Sequence, residues 1–243
     1  MPRAETLEPT PQSMVKEGYY FGLPPLALGG ICFLLHWYVA AGVLLFLAAF
    51  VFSFFRDPHR VISAEPGAVV SPADGRVMVV TDEENAGRPG KRISIFLAIW
   101  NVHINRAPAA GTITKVEYRP GKFLAAMRER ASMENEQNVF TVSTAAGEMV
   151  FRQIAGLIAR RVVSWKKAGE TVSLGERIGL MRFGSRMDVW LPRDAELLVK
   201  PGENVKGGIS VLARWPGKPV AGKLEGISST ATDENLTTTG KQS

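Results

Sequence analysis

The chain is poor in the residues that most often carry covalent and metal chemistry. Its 243 residues include one cysteine, Cys32, and three histidines, His36, His59 and His103. One cysteine excludes an intrachain disulfide and the stapled secreted scaffolds that depend on them, so a reducing, cytoplasmic compartment is the default. The paired Cys/His spacing of a structural zinc site is missing, and no metal site is expected. A G-x-S-x-G nucleophile elbow is also missing, which argues against a serine hydrolase of the usual strand-turn-helix design. The net charge is +6, yet no nucleic-acid module or aromatic-basic platform accompanies it, so no nucleic-acid partner is expected.

Charge itself is absent from one long stretch. Residues 22–55 (GLPPLALGGICFLLHWYVAAGVLLFLAAFVFSFF) contain no Asp, Glu, Lys or Arg. This explains a mean hydropathy of +0.04 in a chain that also carries 29 Lys and Arg against 23 Asp and Glu. A membrane span takes about 20 apolar residues, so this stretch is long for one upright helix and short for two. It reads either as a shallow hairpin turning near His36 and Trp37, or as one span with a lead-in broken by Pro24 and Pro25. A buried core helix pair fits less well, because neither half shows a polar face. Arg56, His59 and Arg60 follow directly and favour the cytoplasmic side of a membrane. Tyr19, Tyr20, Trp37 and Tyr38 suit headgroup level. Residues 1–21 form a polar lead, and the Ser/Thr-rich residues 217–243 read as a disordered tail.

From Arg56 onward the pattern changes to short alternating runs rich in β-branched residues and broken by Gly, Pro and Asp, which predicts strands and hairpins. Only residues 122–136 look helical, and briefly. The fold class is mostly β, a compact sandwich over residues 56–216 preceded by apolar membrane helices. One echo supports two similar halves: GETVSLG at 169–175 and GENVKGG at 202–208 share G-E-x-V-x-x-G. Biotin and lipoate carriers use similar hammerhead turns, but they present a lysine at a hairpin tip, where this chain has Phe183, Gly184, Ser185 and Arg186. Arg152, Arg160, Arg161, Lys166 and Lys167 read equally well as a lipid-facing patch and as solvated strand faces.

Three motifs carry candidate chemistry: SPADG (71–75), WNVHI (100–104) and FGSRMD (183–188). Each alone has a plain structural explanation as a turn or a strand histidine. Together they supply a serine, a histidine and an aspartate, the parts of an activated nucleophile. Ser185 follows a glycine, which permits a strained backbone and leaves the preceding carbonyl open to attack. These residues alone leave self-cleavage, ordinary hydrolysis and a non-catalytic, membrane-anchored binding or carrier module all open.

The ordered set FRDPHR, SPADGRV, IWNVHINRAP, ENEQNVF and RFGSRMDVWLP resembles the phosphatidylserine decarboxylases of the short bacterial and archaeal type, over about residues 54–215. The resemblance implies that the precursor cuts itself between Gly184 and Ser185 and converts Ser185 to a pyruvoyl group. That group would form a Schiff base with the substrate amine, so no added cofactor is needed. The implied products are a β chain, 1–184, and an α chain, 185–243, which stay together as a heterodimer, with room for a higher oligomer. The implied reaction turns phosphatidylserine in an anionic membrane into phosphatidylethanolamine and carbon dioxide at the cytoplasmic face. His103 is the expected base, Asp74 its expected partner, and Asp188 a further candidate that reads more simply as a strand-surface residue. Two departures limit the transfer: Trp100 stands where longer relatives have a second histidine, and Arg186 stands where they have Thr or Ser after the Gly-Ser pair.

Overall fold

The computed structural model describes residues 14–62, 65, 67–157, 161–182 and 184–215. Most of the polar lead, the tail from 217, Arg160 and Phe183 lie outside the described residues.

The apolar stretch is a helical hairpin. Helix α1 (Lys16–Leu34) and helix α2 (Tyr38–Phe54) pack against each other across a turn at His36, whose φ of 63° is unusual for a residue with a side chain. Small residues bring the helices close: a methyl group on Gly22 would overlap the Phe52 ring, one on Gly29 would press on Leu45, and Ala41 and Ala48 are buried. Pro24 and Pro25 lie inside α1 without ending it, which removes the amides that would bond the Tyr20 and Phe21 carbonyls. The helix also starts six residues before the uncharged stretch, at Lys16. At about 1.5 Å per residue, α2 is roughly 25 Å long, short of a hydrocarbon core of about 30 Å. No helix among the described residues is long and apolar enough to cross a membrane. The outer faces nonetheless expose Val39, Phe46, Leu34, Val43 and Trp37. The base of the hairpin is tied by the Val15 amide, which donates to the Phe55 carbonyl at 3.2 Å.

The rest is mostly β and antiparallel. Strands β1 (Ala68–Val70), β2 (Gly75–Asn85), β3 (Arg88–Leu97), β4 (Ile104–Arg106), β5 (Gly111–Arg119), β6 (Gln137–Thr144) and β7 (Gly147–Ile154) come first. They are followed by β8 (Val162–Ser164), β9 (Thr171–Val172), β10 (Arg177–Met181), β11 (Ser185–Pro192), β12 (Glu196–Leu197), β13 (Asn204–Val205) and β14 (Val211–Arg214). One sheet runs β13-β2-β3-β11-β7-β6-β5-β9, and two three-stranded sheets run β1-β14-β12 and β4-β10-β8. The main core lies among them, built from residues such as Ile93, Ile95, Leu97, Phe140, Phe151 and Val189. Of the helical stretch expected at 122–136, only α3 (Ala131–Glu134) forms a helix.

The Gly-Glu echo corresponds to duplicated geometry. The Gly169 amide donates to the Ile113 carbonyl at 2.7 Å, and the Ile113 amide to the Glu170 carbonyl at 2.8 Å. In the other half, the Gly202 amide donates to Val77 and the Val77 amide to Glu203, both at 2.8 Å. Gly169 and Gly202 have φ of 91° and 98°, and Gly175 and Gly208 have 73° and 76°. A methyl group on either Gly175 or Gly208 would strike Ile62, so the two turns face each other across that side chain. The equivalence extends to SPADG and APAAG (107–111): Gly208 donates to Ser71, as Gly175 does to Ala107. Asp74 in one half therefore corresponds to Ala110 in the other.

Candidate active site

The join between β10 and β11 carries the Gly-Ser pair. Gly184 has φ of 65°, a left-handed conformation suited to glycine, and among the described residues no atom beyond its chain neighbours lies within 4 Å of where its Cβ would be. Ser185 opens β11 opposite Leu97 and is fully buried, and its Oγ has no hydrogen-bond partner among the described residues. Such an orphan is uncommon, because burying a hydroxyl without a partner costs about 1–3 kcal/mol. The Gly184 carbonyl lies directly over Gly156, occupying the space a side chain there would take.

His103 precedes β4, and its carbonyl accepts the Met181 amide at 3.2 Å, four residues before Ser185. The side chain is 2% exposed, and its ring lies 4.1 Å from that of Phe54 at the end of α2. Its Nδ1 bonds the Asn101 carbonyl at 2.8 Å. A carbonyl only accepts, so Nδ1 carries the proton and Nε2 presents its lone pair. That Nε2 is buried and has no partner. Burial, reinforced by the Arg56 charge, holds the ring at about 4, well below the ordinary histidine value. His103 is therefore neutral at physiological pH and fit to accept a proton.

Asp74 is held differently from the sequence expectation. Its carboxylate accepts Arg60 Nη2 at 2.9 and 3.1 Å and the Gly207 amide at 2.8 Å. It makes no hydrogen bond to His103, and its charge reaches the ring only through space, favouring the protonated form less than burial disfavours it. The backbone thus sets His103 beside Met181, four residues before Ser185, while Asp74 is bound to Arg60.

The FRDPHR segment, whose basic residues the sequence reads as membrane-flanking charges, is an organiser of the interior. Arg56 donates to the Trp100 carbonyl at 2.8 Å. Asp57, buried at 1% exposure, pairs with Arg106 at 3.1 Å and Arg177 at 2.7 Å. Burial nevertheless raises its carboxyl above the ordinary value. With Arg60 on Asp74, six residues tie the hairpin to the SPADG, NVHINRAP and GERIG segments. Nothing local hints at this, since its partners lie 14 to 120 positions away.

Two buried polar networks flank the site. Asn138 Nδ2 donates to Gln153 Oε1 at 3.1 Å and Gln153 Nε2 to Asn105 Oδ1 at 2.8 Å, leaving Asn105 Nδ2 without a partner. Asn135 clamps the Leu124 backbone and the Ala155 carbonyl. Asn135 and Asn138 of ENEQNVF are thus interior ties, while Glu134 pairs with Lys122 and Arg130 near the surface. On the other side, Arg186 is fully buried and donates to Asp188 at 2.6 Å and to Ser94 Oγ at 2.7 Å, while Ser132 Oγ donates to Asp188 at 2.6 Å. Asp188 is therefore an interior ion-pair partner rather than a strand-surface residue. Arg152, read as solvated or lipid-facing, is instead largely buried and paired with Glu83 at 3.0 Å.

This geometry can be set beside known proteins. The family described as phosphatidylserine decarboxylase matches residues 47–213. The chain belongs to the phosphatidylserine decarboxylase family. Among its relatives in the family is a phosphatidylserine decarboxylase proenzyme of Magnetococcus marinus, 44% identical over 210 residues that cover 84% of this chain and 96% of the relative. The proenzymes of Symbiobacterium thermophilum and Solibacter usitatus are 47% and 48% identical, each covered over 96% of its length and covering 84% and 83% of this chain. The matched span contains Asp74, His103, Gly184 and Ser185 and takes in the last part of α2.

Proposed function

We propose that the chain is a proenzyme that cuts itself between Gly184 and Ser185 and, once matured, decarboxylates phosphatidylserine to phosphatidylethanolamine. The observation that carries this reading is the buried Ser185 Oγ, without a partner among the described residues and placed just after a left-handed glycine; the base we assign to it is His103, a neutral ring whose carbonyl accepts the Met181 amide. His103 Nε2 takes the Ser185 hydroxyl proton as Oγ attacks the Gly184 carbonyl carbon. The Gly184–Ser185 C–N bond breaks, the proton passes to the freed amine nitrogen, and an ester links the two parts. Loss of the Ser185 α proton then expels Gly184 as a carboxylate and leaves dehydroalanine. Water converts this to the pyruvoyl group with release of ammonia, and no oxidant is required. The orphaned Oγ suits the pyruvoyl position, because no group among the described residues uses that hydroxyl as a hydrogen-bond partner. The pyruvoyl carbonyl supplies an electron-accepting centre for the substrate amine. His103 then stands ready to return a proton to the carbon that loses carbon dioxide, and Asp74, braced by Arg60, shapes the field at the ring.

The products would be chains 1–184 and 185–243, held together because β11 pairs with β3 on one side and β7 on the other. The architecture we infer is a barrel-sandwich of two hammerhead halves over residues 56–216. The helical hairpin would lie in the cytoplasmic leaflet rather than across the bilayer, its exposed apolar face among the acyl chains and the site at headgroup level. Extracting a diacyl lipid into water costs about 0.8 kcal/mol per CH₂, which such placement avoids. Intact-mass analysis tests the reading. Wild-type protein should yield an α chain beginning with a pyruvoyl group at position 185, and Ser185→Ala should remain one chain of 26.5 kDa without activity. Two chains from Ser185→Ala would overturn the assignment.

A further inference from the structure

We propose that Gly156 is a positioning residue for self-cleavage, its missing side chain forming the seat on which the scissile Gly184 carbonyl rests. The inference deepens the self-cleavage reading and rests on it. It begins from a contact far closer than packing requires: a Cβ built on Gly156 would lie 1.6 Å from the Gly184 oxygen and 2.8 Å from its carbonyl carbon. The neighbouring side chain, Ala126, is 3.6 Å away, so the space is taken by that one carbonyl. The obstacle is backbone, so making room for a side chain means turning the Gly184 peptide itself.

The contact falls on the bond that has to react. Gly184 is in the left-handed region, and the space around its own Cα is open, so that glycine answers a conformational need. Gly156 answers a spatial one. With no side chain there, a Gly156 Cα–H points at the carbonyl oxygen, a weak polar contact that fixes the orientation of the C=O. An oriented carbonyl exposes its carbon to Ser185 Oγ in one direction, and misplacing a reacting group by about 1 Å costs on the order of a hundredfold in rate. As Oγ bonds to the carbon and the C–N bond opens, negative charge gathers on the oxygen seated over Gly156. A methyl group at that position would rotate the carbonyl away before attack. The residue before Gly156 holds the seat in place. The Ala155 amide donates to the Glu136 carbonyl at 2.9 Å, and the Ala155 carbonyl accepts Asn135 Nδ2 at 2.8 Å.

The test uses full-length precursor made by cell-free synthesis with lipid vesicles, followed over time on denaturing gels and by intact mass. Gly156→Ala should cut at least a hundredfold more slowly than wild type, and hydroxylamine, which cleaves the ester formed by the acyl shift, should release no extra fragments. The uncut double variant Gly156→Ala/Ser185→Ala should melt within a few degrees of Ser185→Ala. Gly90→Ala serves as a control, since its Cβ would meet the Leu191 carbonyl at 2.4 Å at the far end of the β3–β11 pair, and folded molecules of it should still cut. Wild-type cutting by Gly156→Ala, accumulation of a hydroxylamine-sensitive ester, or an unfolded double variant would each overturn the proposal, the last by making Gly156 a requirement of the fold. A wild-type precursor that does not cut at 184/185 would instead remove the underlying reading.

Discussion

The pH dependence of maturation follows from how His103 is buried. Its ring is sealed by Phe54, and Nδ1 is committed to the Asn101 carbonyl, so protonation would place a charge on Nε2 with no partner to receive it. The resulting value of about 4 corresponds to roughly 3 kcal/mol favouring the neutral ring over an ordinary histidine. At pH 5 about nine-tenths of the rings are then neutral, against about 3% for a solvated histidine near 6.5. Newly synthesised precursor shifted to a series of pH values should therefore cut at a constant rate from pH 8 to about 5, with the rate falling only as pH approaches 4. Phe54→Ala admits water beside the ring, and its half-maximal point should move toward 6.5, making the variant up to about thirtyfold slower than wild type at pH 5. The same burial has a thermodynamic signature. The folded value lies below the unfolded one, so His103 leaves stability intact above about 6.5 and removes it as pH falls toward 4. Between pH 7.5 and 4.5 the uncut Ser185→Ala protein should lose about 2.5 kcal/mol more in urea unfolding than Ser185→Ala/His103→Gln. Carboxylates common to both proteins, including Asp57 with its raised value, cancel in that difference. A wild-type cutting rate that halves near pH 6.5 would refute the reasoning.

Three further outcomes are expected. Asp74→Asn keeps the shape of the side chain but removes the charge facing Arg60, and it should slow self-cleavage at least tenfold in a gel time course; normal processing would take Asp74 out of that step. Arg186→Met leaves Asp188 without its closest buried cation and should destabilise the uncut Ser185→Ala protein by about 3–5 kcal/mol in urea, while adding Asp188→Leu should restore much of the loss. The exposed hairpin positions Val39 and Phe46, changed together to glutamate, should abolish flotation with phosphatidylserine vesicles without changing the sheet signal in circular dichroism; retained flotation would place the membrane contact elsewhere.

The strands, the duplicated turns and the apolar hairpin were legible because each follows from local pattern: alternation, a Gly-Glu pair at a left-handed position, and absence of charge. The expected break at Pro24 and Pro25 was not, because loss of two intrahelical bonds in the middle of α1 is offset by packing of Gly22 and Gly29 against α2. Residues 122–136 have helical composition, yet tertiary bonds from Asn135 to Leu124 and Ala155 hold most of them in turns. Ser185, Gly184 and His103 are proposed as site residues from their motifs and the family resemblance. Their environment could not be read that way. Alternation along β11 assigns Arg186 and Asp188 to one face without saying that the loop carrying Ser132 covers it, and nothing local links Arg60 to Asp74 or Gly156 to Gly184.

The position of β11 gives the maturation step a second meaning. The strand that starts at the proposed cleavage site is paired along its length with β3 and across five residues with β7, so the left-handed Gly184 and the buried Ser185 exist only once distant parts of the chain have assembled around them. A chain that pairs these strands wrongly cannot form the reactive geometry and cannot make its own prosthetic group. Acquisition of the pyruvoyl group thus acts as a quality check built into the covalent structure: every active molecule is one whose central sheet closed correctly before the cut.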